Sequence, residues 1–265
     1  MGQFETLAYS SKPDLYSKKF DTLSEIHLES GKIISLFEDD KEAVLLLRVN
    51  AREIEQKEID LYESVMSFEE SEKNKDYKKE CHRKTQKVTR ILTRKIMGAL
   101  LFKNPKDLQF TANKYGRPKV ANFDSSYSFN ISHTGSCINF VVSSFFEVGV
   151  DVENLERKVN LEIASRYFSP REVIDLKKKE ESVRPFAFLS YWCLKESFIK
   201  AIGKGLSMPL ADFSFDLSVE ENITITINEE DQYRDYIETK WSFYLLKLDA
   251  PYLTALALGR KNEKE

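Results

Sequence analysis

Two short stretches hold the residues able to do chemistry. In GVDVEN, Gly149 to Asn154, Asp151 and Glu153 stand two residues apart inside a run of valines. If that run is a strand, alternate side chains share a face and both acids point the same way. Like charges so placed raise one another's pKa, so a positive group should stand between them, either a basic side chain or a metal ion. The second stretch, FAFLSYWCLKESFIKAIGKGLSMPL, opens apolar nearly all round, as a buried helix does. At about 100° per residue, Ser190, Glu196, Ser197, Lys200 and Lys204 fall within one arc of roughly 120°, and a polar stripe on a buried helix needs partners. Glu196 and Lys200 are spaced i, i+4, which a plain intrahelical salt bridge would explain. Combined with Asp151 and Glu153, Glu196 reads instead as a third hard oxygen ligand for Mg²⁺, an ion that favours a few carboxylates plus water and substrate phosphates. Lys200, one turn on, would then reach phosphate oxygens that the metal leaves uncovered.

Other polar groups are less specific. In FNISHTG, Ser132, His133 and Thr134 sit at a strand end before Gly135, where hydroxyls and backbone amides could hold a phosphate; a structural histidine is the plainer reading of His133. Ser132 and His133 make no hydrolase triad, since neighbouring strand residues face opposite ways and no G-x-S-x-G elbow is present. Between Ser71 and Lys95 there are ten Lys or Arg against three acids, a local excess of seven positive charges. A solvated helix face explains it, and so does a site for a phosphorylated ligand. Tyr77 is the one aromatic residue there, so base stacking on nucleic acid has no support.

The elements that must position these groups follow from the patterning. EAVLLLRV is of strand length, Ile54 to Met66 is loosely helical, and Ser71–Phe102 reads as one longer helix ended by Asn104-Pro105. LQFTANKYGRPKV predicts strand, turn, strand. YSFNISHTGSCINFVVSSFFEVGVDVENL predicts three strands. Short helices are expected over 161–167 and 170–179 and a buried one over 183–202. DFSFDLS, NITITIN and WSFYLLKL are late strands, with LTALALG closing the sheet. The fold class is α+β in two halves: an irregular N-terminal extension over 1–40, an N-terminal half over 41–120, and a C-terminal half over 121–265 carrying the metal and catalytic residues. An apolar fraction of 42% supports a substantial core, and a net charge of −3 does not single out a polyanionic partner. Three scattered cysteines, no apolar run of membrane length and no signal-peptide core give the expectation of a soluble cytoplasmic protein. Gly2 and Thr6 fit only a loose myristoylation pattern.

In order, GRP (116–118), FNISHT (129–134), GVDVE (149–153), RYFSPRE (166–172) and WCLKESFIKAIGKGLSMPL (192–210) resemble the 4′-phosphopantetheinyl transferases, specifically the larger surfactin-type class. The resemblance is strong from about Asn113 to Leu210 and weaker over 42–112. It implies two similar halves related by a pseudo-twofold, with the active site in the cleft between them, and a monomer. It implies coenzyme A as co-substrate, Mg²⁺, and transfer of the 4′-phosphopantetheine arm to a serine of an apo acyl or peptidyl carrier protein, with adenosine 3′,5′-bisphosphate released. The matching positions make Asp151, Glu153 and Glu196 metal ligands, Glu196 also the base for the serine, and Lys200 a catalytic contact to the coenzyme phosphates. Ser132, His133, Arg117 and Lys73 match coenzyme contacts. Arg117 stands where lysine is common, and the basic helix has Asp76 where a basic residue is expected. A Mg²⁺-dependent nucleotide phosphohydrolase would use the same carboxylates, with water in place of the serine.

Overall fold

The computed structural model describes residues 5–7, 15–123, 126–219, 222–228 and 231–260. The chain divides into two compact units. One comprises Met1–Thr111, Pro118–Ser128 and Ser132–Phe145, the other Ala112–Arg117, Phe129–Ile131 and Phe146–Glu265. Along the sequence the two units alternate between residues 112 and 145, and the hairpin after residue 127 completes the sheet of the first unit.

That unit runs β1 (Glu5–Leu7), β2 (Leu15–Phe20), α1 (Leu23–Asp39), β3 (Val44–Asn50), α2 (Gln56–Tyr62), α3 (Phe68–Lys75), α4 (Glu80–Leu100), β4 (Phe110–Ala112), β5 (Pro118–Val120), β6 (Ser128–Thr134) and β7 (Cys137–Ser143). Its five-stranded sheet has the order β1-β2-β3-β7-β6, while β4 and β5 form a separate ribbon. The described part of the stretch 1–40, expected as an irregular extension, is strand and helix. β2 pairs in parallel with β3, Leu15 opposite Val44, and α1 is a 17-residue helix whose Thr22 cap accepts from the Glu25 N–H. Leu15, Phe20, Leu23 and Ile33 are fully buried. The Ser24 N–H and hydroxyl both donate to Glu58 Oε1, at 2.6 and 2.7 Å, tying α1 to α2. Residues 1–4 and 8–14 of that stretch lie outside the described residues.

The single helix expected over 71–102 is two. A Ser67–Glu70 capping box starts α3. The buried Asn74 then donates from Nδ2 to Arg83 O at 3.0 Å, and Arg83 donates to Tyr77 O at 2.6 Å, which holds the chain in the break before α4. On α4, Val88, Ile91, Leu92 and Ile96 are fully buried. Arg94, though counted in the basic excess, is buried against Glu70 at 2.7 Å.

The second unit continues with β8 (Phe146–Asn154), α5 (Ala164–Tyr167), α6 (Pro170–Lys178), α7 (Arg184–Ala201), β9 (Phe213–Asp216), β10 (Thr224–Ile227), α8 (Arg234–Glu238), β11 (Trp241–Leu246) and β12 (Tyr252–Arg260). The late strands do not share one sheet: β9 pairs with β10 alone, and β11-β12-β8 form a three-stranded antiparallel sheet. In it Asp151 is opposite Ala255 and Glu153 opposite Leu253. α7 lies on this sheet through Leu253, Ala255 and Ala257 of β12 and the matching face of β8. Phe198 anchors it, its ring centroid 4.9 Å from both Phe213 and Trp241. The architecture is α+β in two units, as expected.

Candidate active site

The closeness of α7 and β8 is set by a missing side chain. A Cβ on Gly149 would fall 2.0 Å from Ser197 O and 2.5 Å from Ala201 N, so only glycine lets the helix backbone sit directly on the strand. Alternation then aims Asp151 and Glu153, on the same face as Gly149, along α7. Lys200 Nζ donates to Asp151 Oδ1 at 2.7 Å, with Asp151 buried and Lys200 half-buried. Glu196 does not need Lys200 as a mere i, i+4 partner; the lysine reaches across to the strand. Ser190 and Ser197, in the same polar arc, are buried and satisfied by carbonyls of their own helix, Phe186 O and Leu194 O.

Negative charge is concentrated here. Burial first, and then the Asp151 charge, push the Glu153 carboxyl up to about 7, against the pull of Arg157 and Lys200. Arg157 Nε lies 3.1 Å from Glu153 Oε2. Glu196 is raised too, by burial and then by Asp151. Burial works against the Lys200 ammonium, but Asp151 outweighs it and holds Lys200 above its ordinary value. The buried Cys193 thiol, 3.6 Å from Leu253 O, is held well above the usual thiol range by burial and then by Asp151.

Among the described residues no three His, Cys, Asp or Glu side chains are gathered as a ready-made metal cage. The donor set nevertheless suits Mg²⁺. Its oxygens are hard, and Mg²⁺ asks for one or two carboxylates, the remaining positions going to water and phosphate. Two acids with raised pKa values beside a third mark a place where added positive charge is favourable.

Ser132 is buried on β6 and His133, next to it, is exposed, as alternation requires. The Gln86 side-chain nitrogen lies 2.8 Å from His133 Nε2, so α4 positions the imidazole. Lys73 is exposed in the last turn of α3. The Arg117 guanidinium is engaged by protein, Nη1 donating to Ala201 O at 2.6 Å and Nη2 pairing with Glu147 Oε2 at 2.7 Å.

The 4′-phosphopantetheinyl transferase superfamily model matches residues 147–257, and the 4′-phosphopantetheinyl transferase N-terminal model matches residues 36–144. The chain is 34% identical over 182 residues to the 4′-phosphopantetheinyl transferase ffp of Bacillus subtilis, covering 67% of this chain and 78% of that protein. The chain belongs to the 4′-phosphopantetheinyl transferase family. The transferase Sfp of Bacillus subtilis strain 168 is 33% identical over 180 residues, 66% of this chain and 77% of its own. A solved holo-[acyl-carrier-protein] synthase of Neisseria meningitidis aligns at 17% identity and a TM-score of 0.37, over 43% of this chain and 98% of its own. Nothing among these relatives supports the phosphohydrolase reading.

Sequence reasoning missed a fully buried ion pair of this transferase. Lys195 Nζ lies 2.8 Å from Glu172 Oε2 with both side chains fully buried, and it donates to Leu210 O and Phe213 O at 2.7 and 2.6 Å. Burial, opposed by Glu172, pulls Lys195 down to about 8. Two signals were present. SPRE is a capping-box sequence, and Ser169 and Glu172 do form the box. Lys195 is a lone charge on the apolar side of a buried helix, where an unpaired charge is not tolerated.

Proposed function

We propose that this transferase moves the 4′-phosphopantetheine arm of coenzyme A to a serine hydroxyl of an apo acyl or peptidyl carrier protein, with Mg²⁺ required. The observation that carries the residue-level reading is the Lys200–Asp151 pair on a carboxylate-rich face, one helical turn after Glu196. In the reaction the serine oxygen bonds to the phosphorus nearer the pantetheine, the phosphoanhydride bond breaks, and adenosine 3′,5′-bisphosphate leaves. Glu196 takes the serine proton; a carboxyl whose pKa is raised by burial and by Asp151 is the better base for it. Lys200, kept charged by Asp151, offsets the negative charge that collects on the departing phosphate and can donate a proton to it. Asp151 and Glu153, with Glu196, would hold Mg²⁺, which supplies Lewis-acid stabilisation of the phosphate oxygens when bound. Ser132, His133 and Lys73 serve as contacts to the coenzyme phosphates, His133 being held by Gln86.

The protein acts as a monomer in the cytoplasm on this reading. Two of its three cysteines, Cys137 and Cys193, are buried, and no helix among the described residues is long and apolar enough to cross a membrane.

The test is intact-mass spectrometry of an apo carrier incubated with the protein, coenzyme A and Mg²⁺, with and without EDTA. A gain of one phosphopantetheine that EDTA abolishes is expected. Hydrolysis of coenzyme A with no gain on carriers of several pathway types would overturn the reading in favour of a phosphohydrolase.

A further inference from the structure

The end of α7 is fastened by the turn between β4 and β5. The last carbonyls of a helix have no partner within it. Here Arg117 Nη1 donates to Ala201 O at 2.6 Å and Asn113 Nδ2 to Gly203 O at 2.7 Å. Asn113 Oδ1 accepts the N–H groups of Tyr115 and Arg117, both at 2.9 Å, which fixes the amide so that Nδ2 faces the helix end. Gly203, at φ +69°, turns the chain out of the helix, and a Cβ there would lie 2.9 Å from Arg117 Cδ and 3.1 Å from Asn113 Nδ2. The other arm of the Arg117 fork pairs with Glu147 at 2.7 Å. Glu147 shares its strand face with Gly149 and Asp151. One guanidinium therefore joins the helix that carries Lys200, at the very next residue, to the strand that carries Asp151.

We propose that Asn113 and Arg117 are positioning residues that lock the last turn of α7 onto β8 and so set Lys200 against Asp151, Arg117 acting through the helix and not by contact with a phosphate. A phosphate contact needs charge, and lysine would supply it. A clamp needs the planar fork, because a lysine ammonium cannot span Ala201 O and Glu147 in the same way. Asn113 carries no charge, yet a clamp depends on it equally. The kinetic arm of the test rests on the transferase reading; the exchange arm does not.

Arg117→Lys, Asn113→Ala and Arg117→Met are compared with wild type in kcat, KM for coenzyme A, and amide hydrogen exchange over 200–204. The protected amides are those of Gly203, bonded to Lys200 O, and Lys204, bonded to Ile199 O. Expected are falls in kcat of about tenfold for Arg117→Lys and for Asn113→Ala, with KM for coenzyme A within about twofold. Exchange at 203 and 204 should quicken in both while the amides of β12 stay protected. A near-wild-type Arg117→Lys, an Arg117→Met that raises KM alone and a silent Asn113→Ala would overturn the proposal in favour of a phosphate contact. If the wild type transfers nothing, faster exchange in Asn113→Ala still upholds the clamp while the transferase reading falls. Unchanged exchange sinks the clamp whatever the turnover.

Discussion

Replacing Gly149 by alanine tests the seam on which the site is built. The new Cβ would stand 2.0 Å from Ser197 O, 2.5 Å from Ala201 N and 2.9 Å from Ala201 Cα. All three are backbone atoms of α7, so no side chain can swing aside. To restore ordinary contact the helix must retreat from β8 by about 1.4 Å. Overpacking of this kind costs about 3 kcal/mol when backbone has to move, which in a chain of this size lowers Tm by about 6–12 °C. The same retreat stretches the 2.7 Å Lys200–Asp151 bond to roughly 4 Å, past hydrogen-bonding range. A misplacement of about 1 Å near reacting groups can cost about a hundredfold in rate, so kcat should fall by about that factor. Thermal melts followed by circular dichroism give the first quantity, and the initial rate of carrier mass gain gives the second. A Tm within about 2 °C of wild type would refute the steric argument. A lowered Tm with an unchanged kcat would show instead that the α7–β8 spacing does not govern the chemistry.

Lys195→Met leaves Glu172 buried without its cation and should cost about 3–5 kcal/mol in urea unfolding, with Lys195→Met/Glu172→Gln costing less than the two single changes added; a single-variant cost below about 1 kcal/mol would contradict the buried pair. Lys200→Met should lower kcat about a hundredfold with an unaltered circular dichroism spectrum, and a variant transferring at the wild-type rate would remove Lys200 from the mechanism. Glu153 has a folded pKa of about 7 against an ordinary 4.5, so between those values the folded chain keeps a proton that the unfolded chain has lost, and the metal-free protein loses stability as pH rises through that window. A cation held at Glu153 displaces that proton, so Mg²⁺ should raise Tm more at pH 8 than at pH 6, and Glu153→Gln should shrink the difference. An equal Mg²⁺ shift at both pH values would rule out Glu153 as a ligand.

What the sequence made legible was local. The strand of Asp151 and Glu153, the helix of Glu196 and Lys200, and their ribbon neighbours follow from period and turn residues, and α7 ends within one residue of its expected limit at 202. What it hid depended on contacts between distant segments. The stretch 15–39 reads as weakly periodic, yet Leu15, Phe20, Leu23 and Ile33, with Ser24 on Glu58, pack it. The break between α3 and α4 depends on Asn74 reaching Arg83 O, which no periodicity announces. The resemblance makes Arg117 a coenzyme contact, and sequence gives a guanidinium's charge but not the carbonyl it will cap.

The question raised by two acids on one strand face has a two-part answer. Lys200 is a basic side chain between the elements, and it pairs with Asp151 Oδ1. It does not satisfy the site: Arg157 and Lys200 together still leave Glu153 raised to about 7 and Glu196 raised as well. Three carboxylates set against two cations keep a residual negative charge in a place where burial makes charge costly. A folded chain can meet that cost by holding protons, as Glu153 does here, or by exchanging them for a divalent ion. The second course suits a transferase whose co-substrate brings phosphates of its own, because a metal held by few protein ligands keeps open positions for phosphate oxygens. The pH dependence of the Mg²⁺ shift measures that exchange directly.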